Sequence, residues 1–435
     1  MRHIKLAWLL VAVALLCGCA VYAPQQLYAL PKRSQAYNNL QAAMDAAMGT
    51  LEYSAPVAGE NQQTVQMADL DGDGALEFLV FAKGEAEYPL QILCFHASGN
   101  GYFLQYTLGF PGTAFDQVAY AQLDGCGGME LVVGCQVSDQ AMREAYVYTF
   151  SEGFPSLLAD TAYAEYLCTD LNSDGAEEVF LLRPGTEGTD TARLLAMEGG
   201  VLQEMRTAET SFSVDRVKRI LSGSLSDGSQ AVFVAGALED GGLFTDVFVL
   251  NGDEFTNITR KADSESSQTT LRGYPVYADD IDEDGVMELP DLIQGALRLE
   301  DPEAGQYMIR WYALDSHGGQ TDKRYTFHDF TAGWYLELDS SQAEQMTVRR
   351  EDIGWVFYGR DAGQPGWSKV MTIFAFTGDT REEQAVQENR FVLLRTEDVT
   401  YAAYLEVASA ALHMTREDLI NGFQLIGKAW KTGET

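Results

Sequence analysis

The sequence predicts an all-β protein built from a repeated four-stranded antiparallel unit. Three observations lead to this prediction. An acidic, glycine-containing loop recurs roughly every 50 residues, a period typical of repeat architectures. Each of the first four loops runs into a short apolar segment rich in β-branched or aromatic residues, which indicates a buried strand. A second turn signal then follows each of these four loops at a nearly constant distance.

The charge of the chain restricts its partners. The 435 residues include 64 acidic and 29 basic side chains, which gives a formal net charge of -35. This surplus of carboxylates argues against a nucleic-acid partner, since binding to a phosphate backbone needs Lys and Arg. It also disfavours electrostatic docking on an anionic membrane. Hydrophobic residues make up 46% of the chain, which is enough for a folded core.

The N-terminus has the layout of an export signal covering residues 1–18. Arg2 and Lys5 give it a positive start, and an uninterrupted apolar run follows over 6–16. That run is well short of the ~20 residues that a helix needs to span a bilayer. A retained transmembrane segment is therefore the weaker interpretation.

The stretch Leu16-Cys17-Gly18-Cys19 resembles the lipobox of bacterial lipoproteins. The resemblance implies that Cys19 is lipidated and becomes the first residue of the mature chain. It also implies an exported protein, anchored by lipid on the outer face of the bacterial cell membrane. Two or more acyl chains give stable anchoring where one is marginal. The alternative is ordinary cleavage nearby, which would leave Cys19 as a free thiol.

Helical segments are predicted at both ends of the chain. Residues 19–60 would contain a tether from the lipid and a short amphipathic helix over Gln35–Met48. Residues 61–400 would form the repeated β domain, and 401–435 a C-terminal helical segment. A capping-box-like start at Thr415, followed by apolar residues at helical spacing, marks the helix of that last segment.

Five copies of the acidic loop are visible, and all five have an aliphatic residue in second place. We number them in chain order: loop 1 is DLDGDGALE (69–77), loop 2 QLDGCGGME (122–130), loop 3 DLNSDGAEE (170–178), loop 4 SLSDGSQAV (224–232) and loop 5 DIDEDGVME (280–288). A polar loop with one fixed aliphatic position indicates a turn held to a core. Each repeat is therefore expected to run strand, acidic loop, strand, connection, strand, tight turn, strand. The fifth repeat is expected to be irregular, because Pro290 would interrupt its first strand.

A four-stranded unit of this size matches the blade of a β-propeller, in which each sheet buries its faces against its neighbours. A sixth blade without an acidic loop is predicted from about Trp334. Its strands would lie at 335–338, 355–358, 370–376 and 391–394, with the last two forming a hairpin. A seventh blade could combine 53–68 with late chain, so the prediction is six or seven blades.

Loops 1, 3 and 5 have the composition of calcium sites. Oxygen ligands alternate along each loop, and a hard cation such as Ca²⁺ takes six to eight oxygens. An EF-hand would need its bidentate acid at position 12, where two of the three loops have the apolar Val80 and Leu181. The candidate ligands are Asp69, Asp71, Asp73, the carbonyl of Ala75 and Glu77; Asp170, Asn172, Asp174, the carbonyl of Ala176 and Glu178; and Asp280, Asp282, Asp284, the carbonyl of Val286 and Glu288.

These loops resemble the DxDxDGxx[DE] calcium loops of FG-GAP and VCBS repeats, which occur in integrin α-chain propellers and in many bacterial surface proteins. The resemblance covers roughly residues 61–400 and implies two or three structural Ca²⁺ ions. In loop 2, Gln122 and Cys126 replace two acids, and loop 4 keeps only Asp227, so both are expected to hold their turns by hydrogen bonds alone. The alternative for the other three loops is an acidic turn without metal.

Signals for catalysis are few. The sequence contains no HExxH, GxSxG or phosphate-binding motif, and His328-Asp329 is weak evidence for a catalytic pair. We therefore expect a non-enzymatic surface protein whose propeller binds a protein or a glycan. The alternative is a carbohydrate-active enzyme, a glycoside hydrolase or lyase, with a central funnel of acidic and aromatic side chains. The aromatic candidates for that funnel are Trp311, Tyr312, Trp334 and Trp355.

Overall fold

A computed structural model describes residues 35–99, 101–137, 143–151, 153–185, 190–238, 242–260, 269–274, 276–293, 306–351, 354–360 and 366–427. Within them the chain is mostly β and forms six antiparallel sheets of four or five strands. The predicted signal peptide and Cys19 lie outside these residues. No helix in the described ranges is long and apolar enough to cross a membrane. The four cysteines there are all free thiols.

Sheets 1 to 3 follow one another along the chain. Their strands are β1 (Glu52–Tyr53), β2 (Val65–Ala68), β3 (Glu77–Lys83), β4 (Leu90–Ser98) and β5 (Gly101–Phe110) in sheet 1; β6 (Ala114–Ala121), β7 (Glu130–Gln136), β8 (Arg143–Ser151) and β9 (Phe154–Tyr163) in sheet 2; and β10 (Glu165–Thr169), β11 (Glu178–Arg183), β12 (Thr191–Glu198) and β13 (Val201–Glu209) in sheet 3. In each sheet the acidic loop joins the first long strand to the second, as predicted.

Sheets 4 to 6 complete the array. Their strands are β14 (Val217–Ser224), β15 (Gln230–Ala237), β16 (Leu243–Asn251) and β17 (Glu254–Asn257) in sheet 4; β18 (Glu288–Leu292), β19 (Gln306–Leu314), β20 (Gln320–Asp329), β21 (Trp334–Leu338) and β27 (Phe423–Leu425) in sheet 5; and β22 (Met346–Glu351), β23 (Gly354–Arg360), β24 (Trp367–Thr377), β25 (Phe391–Arg395) and β26 (Val399–Leu405) in sheet 6. The α-helices are α1 (Gln35–Met48), α2 (Ser340–Gln345), α3 (Arg381–Val386) and α4 (Arg416–Gly422). Two 3₁₀ turns lie at Val214–Arg216 and Val407–Leu412.

Consecutive sheets pack face to face. Buried hydrophobic clusters join sheet 1 to 2, 2 to 3, 3 to 4, 4 to 5 and 5 to 6, so the inner sheets are covered on both faces. Within the described ranges, no such cluster joins sheet 6 to sheet 1. Instead, Leu40 and Met44 of the predicted helix α1 pack on Val80 and Leu93 of sheet 1. At the other end Thr400 of sheet 6 donates to Glu382 of α3 at 2.6 Å.

The predicted strand assignment of the sixth unit was wrong. The segment 335–338 is part of β21, the fourth strand of sheet 5, and β26 lies between β24 and β25, which therefore do not form a hairpin. Apolar runs locate strands but do not identify their partners. Ala402 and Ala403 of β26 are both fully buried because a central strand is covered on both faces.

The boundaries of the β domain also differ from those expected. Sheet 1 begins at β1, before residue 61, and β26 extends sheet 6 beyond residue 400. Helix α4 does begin after Thr415, whose side chain forms the predicted capping box. Pro290 does not interrupt its strand, because β18 is an edge strand of sheet 5 and tolerates a residue without an N–H.

Candidate metal centres

Each acidic loop is fixed to the core through its second residue. The aliphatic side chain there is buried in all five loops, with exposures of 2% for Leu70, 1% for Leu123, 3% for Leu171, 0% for Leu225 and 6% for Ile281. The first aspartate then closes the turn. Asp69 accepts amide hydrogens from Gly72 at 2.8 Å and Gly74 at 3.0 Å. Asp170 and Asp280 each accept two amides as well, from the fifth and sixth residues of their loops.

The ninth residue of loops 1, 2, 3 and 5 is a buried glutamate. One of its carboxylate oxygens accepts the amide of the second residue in every case. The donors are Leu70, Leu123 and Leu171 at 2.9 Å and Ile281 at 3.1 Å. This bond joins the two ends of the loop and places the glutamate beside the other candidate ligands.

The other oxygen of this glutamate has a different partner in each of loops 1, 2 and 3. In loop 1, His96 Nδ1 lies 3.0 Å from Glu77 Oε1, and in loop 2 Thr149 donates to Glu130 at 2.9 Å. In loop 3 the partner is the Asn172 amide, at 2.9 Å. The sequence did not indicate His96 or Thr149, because they lie on the neighbouring strand.

Loop 5 leaves buried oxygens without a hydrogen bond. Glu288 is completely buried, and its Oε1 has no hydrogen-bond partner in the described structure; the same holds for Asp282 Oδ1. The ligand atoms of Asp280, Asp282 and Glu288 lie within 4.8 Å of one another. Orphaned buried carboxylate oxygens are costly, so this group fits a bound cation.

Loop 1 also brings its predicted ligands together. In loop 3 an asparagine side chain forms hydrogen bonds with the carboxylates instead. Asp69, Asp71 and Asp73 lie within 4.8 Å of one another, and so do Asp71, Glu77 and His96. In loop 3 the Asn172 side chain donates to both Asp174 and Glu178, at 2.9 Å each, and satisfies them within the protein. The residues whose carbonyls were proposed as ligands, Ala75, Ala176 and Val286, donate their amides to the fifth-position aspartates at 2.7, 2.9 and 2.9 Å.

Burial makes the charged form of three of the ninth-position glutamates unfavourable, and it raises the pKa of Glu130 in loop 2. Burial, with the nearby Asp174 and Asp170 acting in the same direction, raises the pKa of Glu178 to about 7. Burial likewise raises the pKa of Glu288 to about 8, with Asp282 contributing in the same direction. The hydrogen bond from Leu171 or Ile281 opposes this only in part. A cation among these carboxylates would favour their ionised forms.

Loops 2 and 4 have hydrogen bonds in place of the missing ligands. In loop 2 Cys126 donates its amide to Asp124 at 2.8 Å. In loop 4 Asp227 accepts the amide of Ser316 at 2.9 Å and that of Ser229 at 3.1 Å. Burial alone would raise the pKa of Asp227, but the hydrogen bonds from Ser316 and Ser229 lower it to about 2.

Neighbouring loops are joined through their backbones. The amide of the eighth residue donates to the carbonyl of the first residue in the preceding loop. The pairs are Met129 to Asp69 at 3.1 Å, Glu177 to Gln122 at 2.7 Å and Met287 to Ser224 at 2.9 Å. Loops 1 and 2 also approach closely at Gly72, where a Cβ would lie 2.8 Å from the Gly128 nitrogen.

A cavity of about 430 Å³ lies between the first strands of sheets 2, 3 and 4. Its wall includes 117–120 of β6, 166–168 of β10 and 220–222 of β14, together with Glu60 and Glu177. The aromatic residues expected in a central funnel lie elsewhere. Trp311 and Trp334 are 0% exposed, Tyr312 1% and Trp355 3%, because they fill the core around sheets 5 and 6.

His328 is a core residue. It is completely buried, its Nε2 lies 2.8 Å from Thr326 Oγ1, and its ring stacks on Tyr335 at 5.0 Å. Burial lowers the pKa of His328 to about 3. The imidazole is therefore neutral and hidden from solvent at ordinary pH.

This burial predicts a pH dependence of stability. As the pH falls below about 6.5, His328 takes up a proton in the unfolded chain but not in the folded protein. Its contribution is complete above that pH and decreases as the pH approaches 3. Between pH 7 and 5, the wild type should lose about 2 kcal/mol more unfolding free energy than His328→Gln, in urea titrations. The exposed His317→Gln is the control, and equal losses in wild type and His328→Gln would contradict the prediction.

No family model and no curated protein matches the chain. Solved structures match it at low similarity. A rhamnogalacturonan lyase from Bacillus licheniformis is 12% identical. The match covers 68% of this chain and 74% of that one, with a TM-score of 0.32. Sqt1 from Chaetomium thermophilum is 11% identical. The match covers 82% of this chain and 98% of that one, with a TM-score of 0.34. These scores are too low to assign a fold or an activity to this chain.

Proposed function

We propose that this chain is an exported, lipid-anchored surface protein whose β-propeller is stabilised by calcium and binds a protein or glycan without catalysis. Export and anchoring at Cys19 rest on the resemblance of the N-terminus to bacterial lipoproteins. The calcium rests mainly on one observation, the buried oxygens of Asp282 and Glu288 that lack hydrogen-bond partners. Ca²⁺ would supply positive charge there, held by the carboxylates of Asp280, Asp282, Asp284 and Glu288 and the carbonyl of Val286.

The propeller is supported by the position of the first strands. Strands β6, β10 and β14 of three consecutive sheets line one cavity, as inner strands around a central axis would. The face-to-face packing of consecutive sheets fits the same arrangement. We take the six sheets as six blades, with helix α1 covering sheet 1 and helix α3 covering sheet 6.

The cavity is the proposed ligand site. It is mixed in character, with Tyr120 and Tyr166 beside the carboxylates of Glu60 and Glu177. Two carboxylates in the wall favour a neutral or amino-bearing ligand over an acidic one. The enzymatic alternative is weaker than it was from sequence, because its aromatic candidates are core residues.

The calcium proposal predicts a metal-dependent stability. An ion that binds only the folded protein stabilises it by mass action, by about 2.7 kcal/mol at 100 times its dissociation constant. The unfolding midpoint of the protein in millimolar Ca²⁺ should therefore exceed its midpoint in EDTA. Asp280→Asn should reduce the difference, since that aspartate closes loop 5. An identical midpoint in Ca²⁺ and EDTA would overturn the proposal.

The binding proposal is tested by blocking the cavity. Arrays of neutral, amino and acidic glycans and of proteins would be probed with the wild type and with Ser222→Trp, whose indole would enter the cavity from its exposed wall. Ser156→Trp, on the exposed part of β9, is the matched control. We expect captured ligands to be lost only with Ser222→Trp, and equal capture by both variants would contradict a ligand site there.

A further inference from the structure

One β-bulge recurs at the same place in four sheets. Where the second and third strands after the acidic loop pair, one extra residue interrupts the register next to that loop. The extra residues are Gln105 in sheet 1, Leu158 in sheet 2, Met205 in sheet 3 and Lys323 in sheet 5. In every case the bulge lies opposite the two residues that follow the loop's ninth position, so the four positions are equivalent. A bulge commonly directs a side chain toward a site.

Of these four residues, Lys323 alone is charged, and it reaches its own loop. Its ammonium contacts Asp284 Oδ2 and lies 4.0 Å from Glu288 Oε1, the buried oxygen that lacks a hydrogen bond. The adjacent Arg324 places its Nε 3.5 Å from Asp282 Oδ2. Loop 5 thus faces positive charge from β20, whereas the residues equivalent to Lys323 in sheets 1 and 3, Gln105 and Met205, are uncharged.

We propose that Lys323 is a built-in counter-ion of loop 5, whose ammonium competes with a divalent cation and sets how strongly this loop binds one. The inference rests on the proposed function of loop 5 as a calcium loop. The position of the ammonium explains why the loop can hold clustered carboxylates before an ion arrives. When Ca²⁺ binds, the ammonium has to leave Asp284, since like charges a few ångströms apart repel.

The matched substitutions come from the protein itself. Lys323→Met gives sheet 5 the residue that sheet 3 has at this position, and Met205→Lys does the reverse. Calcium binding would be measured by isothermal titration calorimetry, and the binding step that Asp280→Asn removes is assigned to loop 5. Lys369→Met is the control, because Lys369 is also paired, with Glu351 at 3.1 Å, but on sheet 6.

Lys323→Met should raise the Ca²⁺ affinity of loop 5 by about tenfold or more. The same variant should unfold at a lower temperature than wild type in EDTA, because Asp284 and Glu288 have lost their counter-ion. Met205→Lys should weaken calcium binding at loop 3, and Lys369→Met should change neither affinity. An increase in affinity combined with a loss of stability in EDTA is not expected from a lysine that only supports the fold.

The outcomes separate this inference from the proposal beneath it. Wild-type calcium binding at loop 5 that Lys323→Met leaves unchanged or weakens overturns the counter-ion and keeps the calcium site. Binding that appears only in Lys323→Met supports the counter-ion and overturns a calcium ion at this loop in the wild type. If neither wild type nor Lys323→Met binds Ca²⁺ at loop 5, both proposals fail.

Discussion

Replacing Asp116 with alanine should lower the free energy of unfolding by about 3–5 kcal/mol, the range found when one partner of a buried ion pair is removed. Asp116 is 1% exposed and accepts hydrogen bonds from Tyr163 at 2.6 Å and Gln136 at 3.2 Å. Arg143 Nε lies 3.3 Å from Asp116 Oδ1, the oxygen that also accepts from Gln136. Alanine would remove the acceptor of the buried Tyr163 hydroxyl and the carboxylate that Arg143 and Gln136 share.

The network of Asp116 lies where sheet 2 passes into sheet 3. Tyr163 ends β9, and Arg143 also pairs with Glu165 at the start of β10, at 2.9 Å. Glu165→Gln is the matched control, because this partly exposed carboxylate can keep a hydrogen bond and exposed ion pairs contribute about 0–1 kcal/mol. Urea unfolding measures both variants. If Asp116→Ala lost no more stability than Glu165→Gln, the buried network would not be a major support of the fold.

Gly72→Ala should be the second most damaging of the proposed changes, with a loss of about 2–4 kcal/mol. Gly72 has φ +73°, where an L-residue is strained by roughly 1–2 kcal/mol. Its new Cβ would also lie 2.8 Å from the Gly128 nitrogen and 3.0 Å from the Gly127 carbonyl carbon. Relief of this contact has to move loop 1 away from loop 2.

A neighbouring glycine separates strain from contact. Gly74 has φ +85°, but a Cβ there would meet nothing within 4 Å. Gly74→Ala should therefore show the backbone strain alone, about 1–2 kcal/mol. The unfolding of both variants should be measured in EDTA, so that metal binding does not contribute. Equal losses in urea unfolding would mean that the approach of loop 1 to loop 2 has no energetic weight.

The repeat and its loops were predictable because their signals are local. The buried aliphatic residue at position 2, exemplified by Leu70, and the ninth-position glutamates each recur at a fixed offset within a few residues. The capping box at Thr415 was visible for the same reason, since its two partners are three residues apart. Such features depend on short-range geometry, which a single sequence contains.

The partners from other strands were not predictable. His96, Thr149 and Lys323 reach the loops through strand pairing. His96 and Thr149 each follow their glutamate by 19 residues, but a spacing of that length does not show which side chains meet across two strands. Strand order failed in the same way, because the place of β26 in sheet 6 depends on the whole sheet. The aromatic funnel was wrong for another reason: composition does not tell whether a side chain such as Trp311 faces a cavity or the core.

The backbone bonds between loops have a consequence for how these repeats diverge. Position 8 supplies a backbone N–H and position 1 a backbone carbonyl. Every residue has the carbonyl, and every residue except proline has the N–H. Gln122 in loop 2 and Ser224 in loop 4 consequently accept the bond just as Asp69 does in loop 1. A copy can thus lose its carboxylates by mutation while its contact with the neighbouring copy survives. The carboxylates of the loops and the assembly of the array can therefore change independently, one repeat at a time.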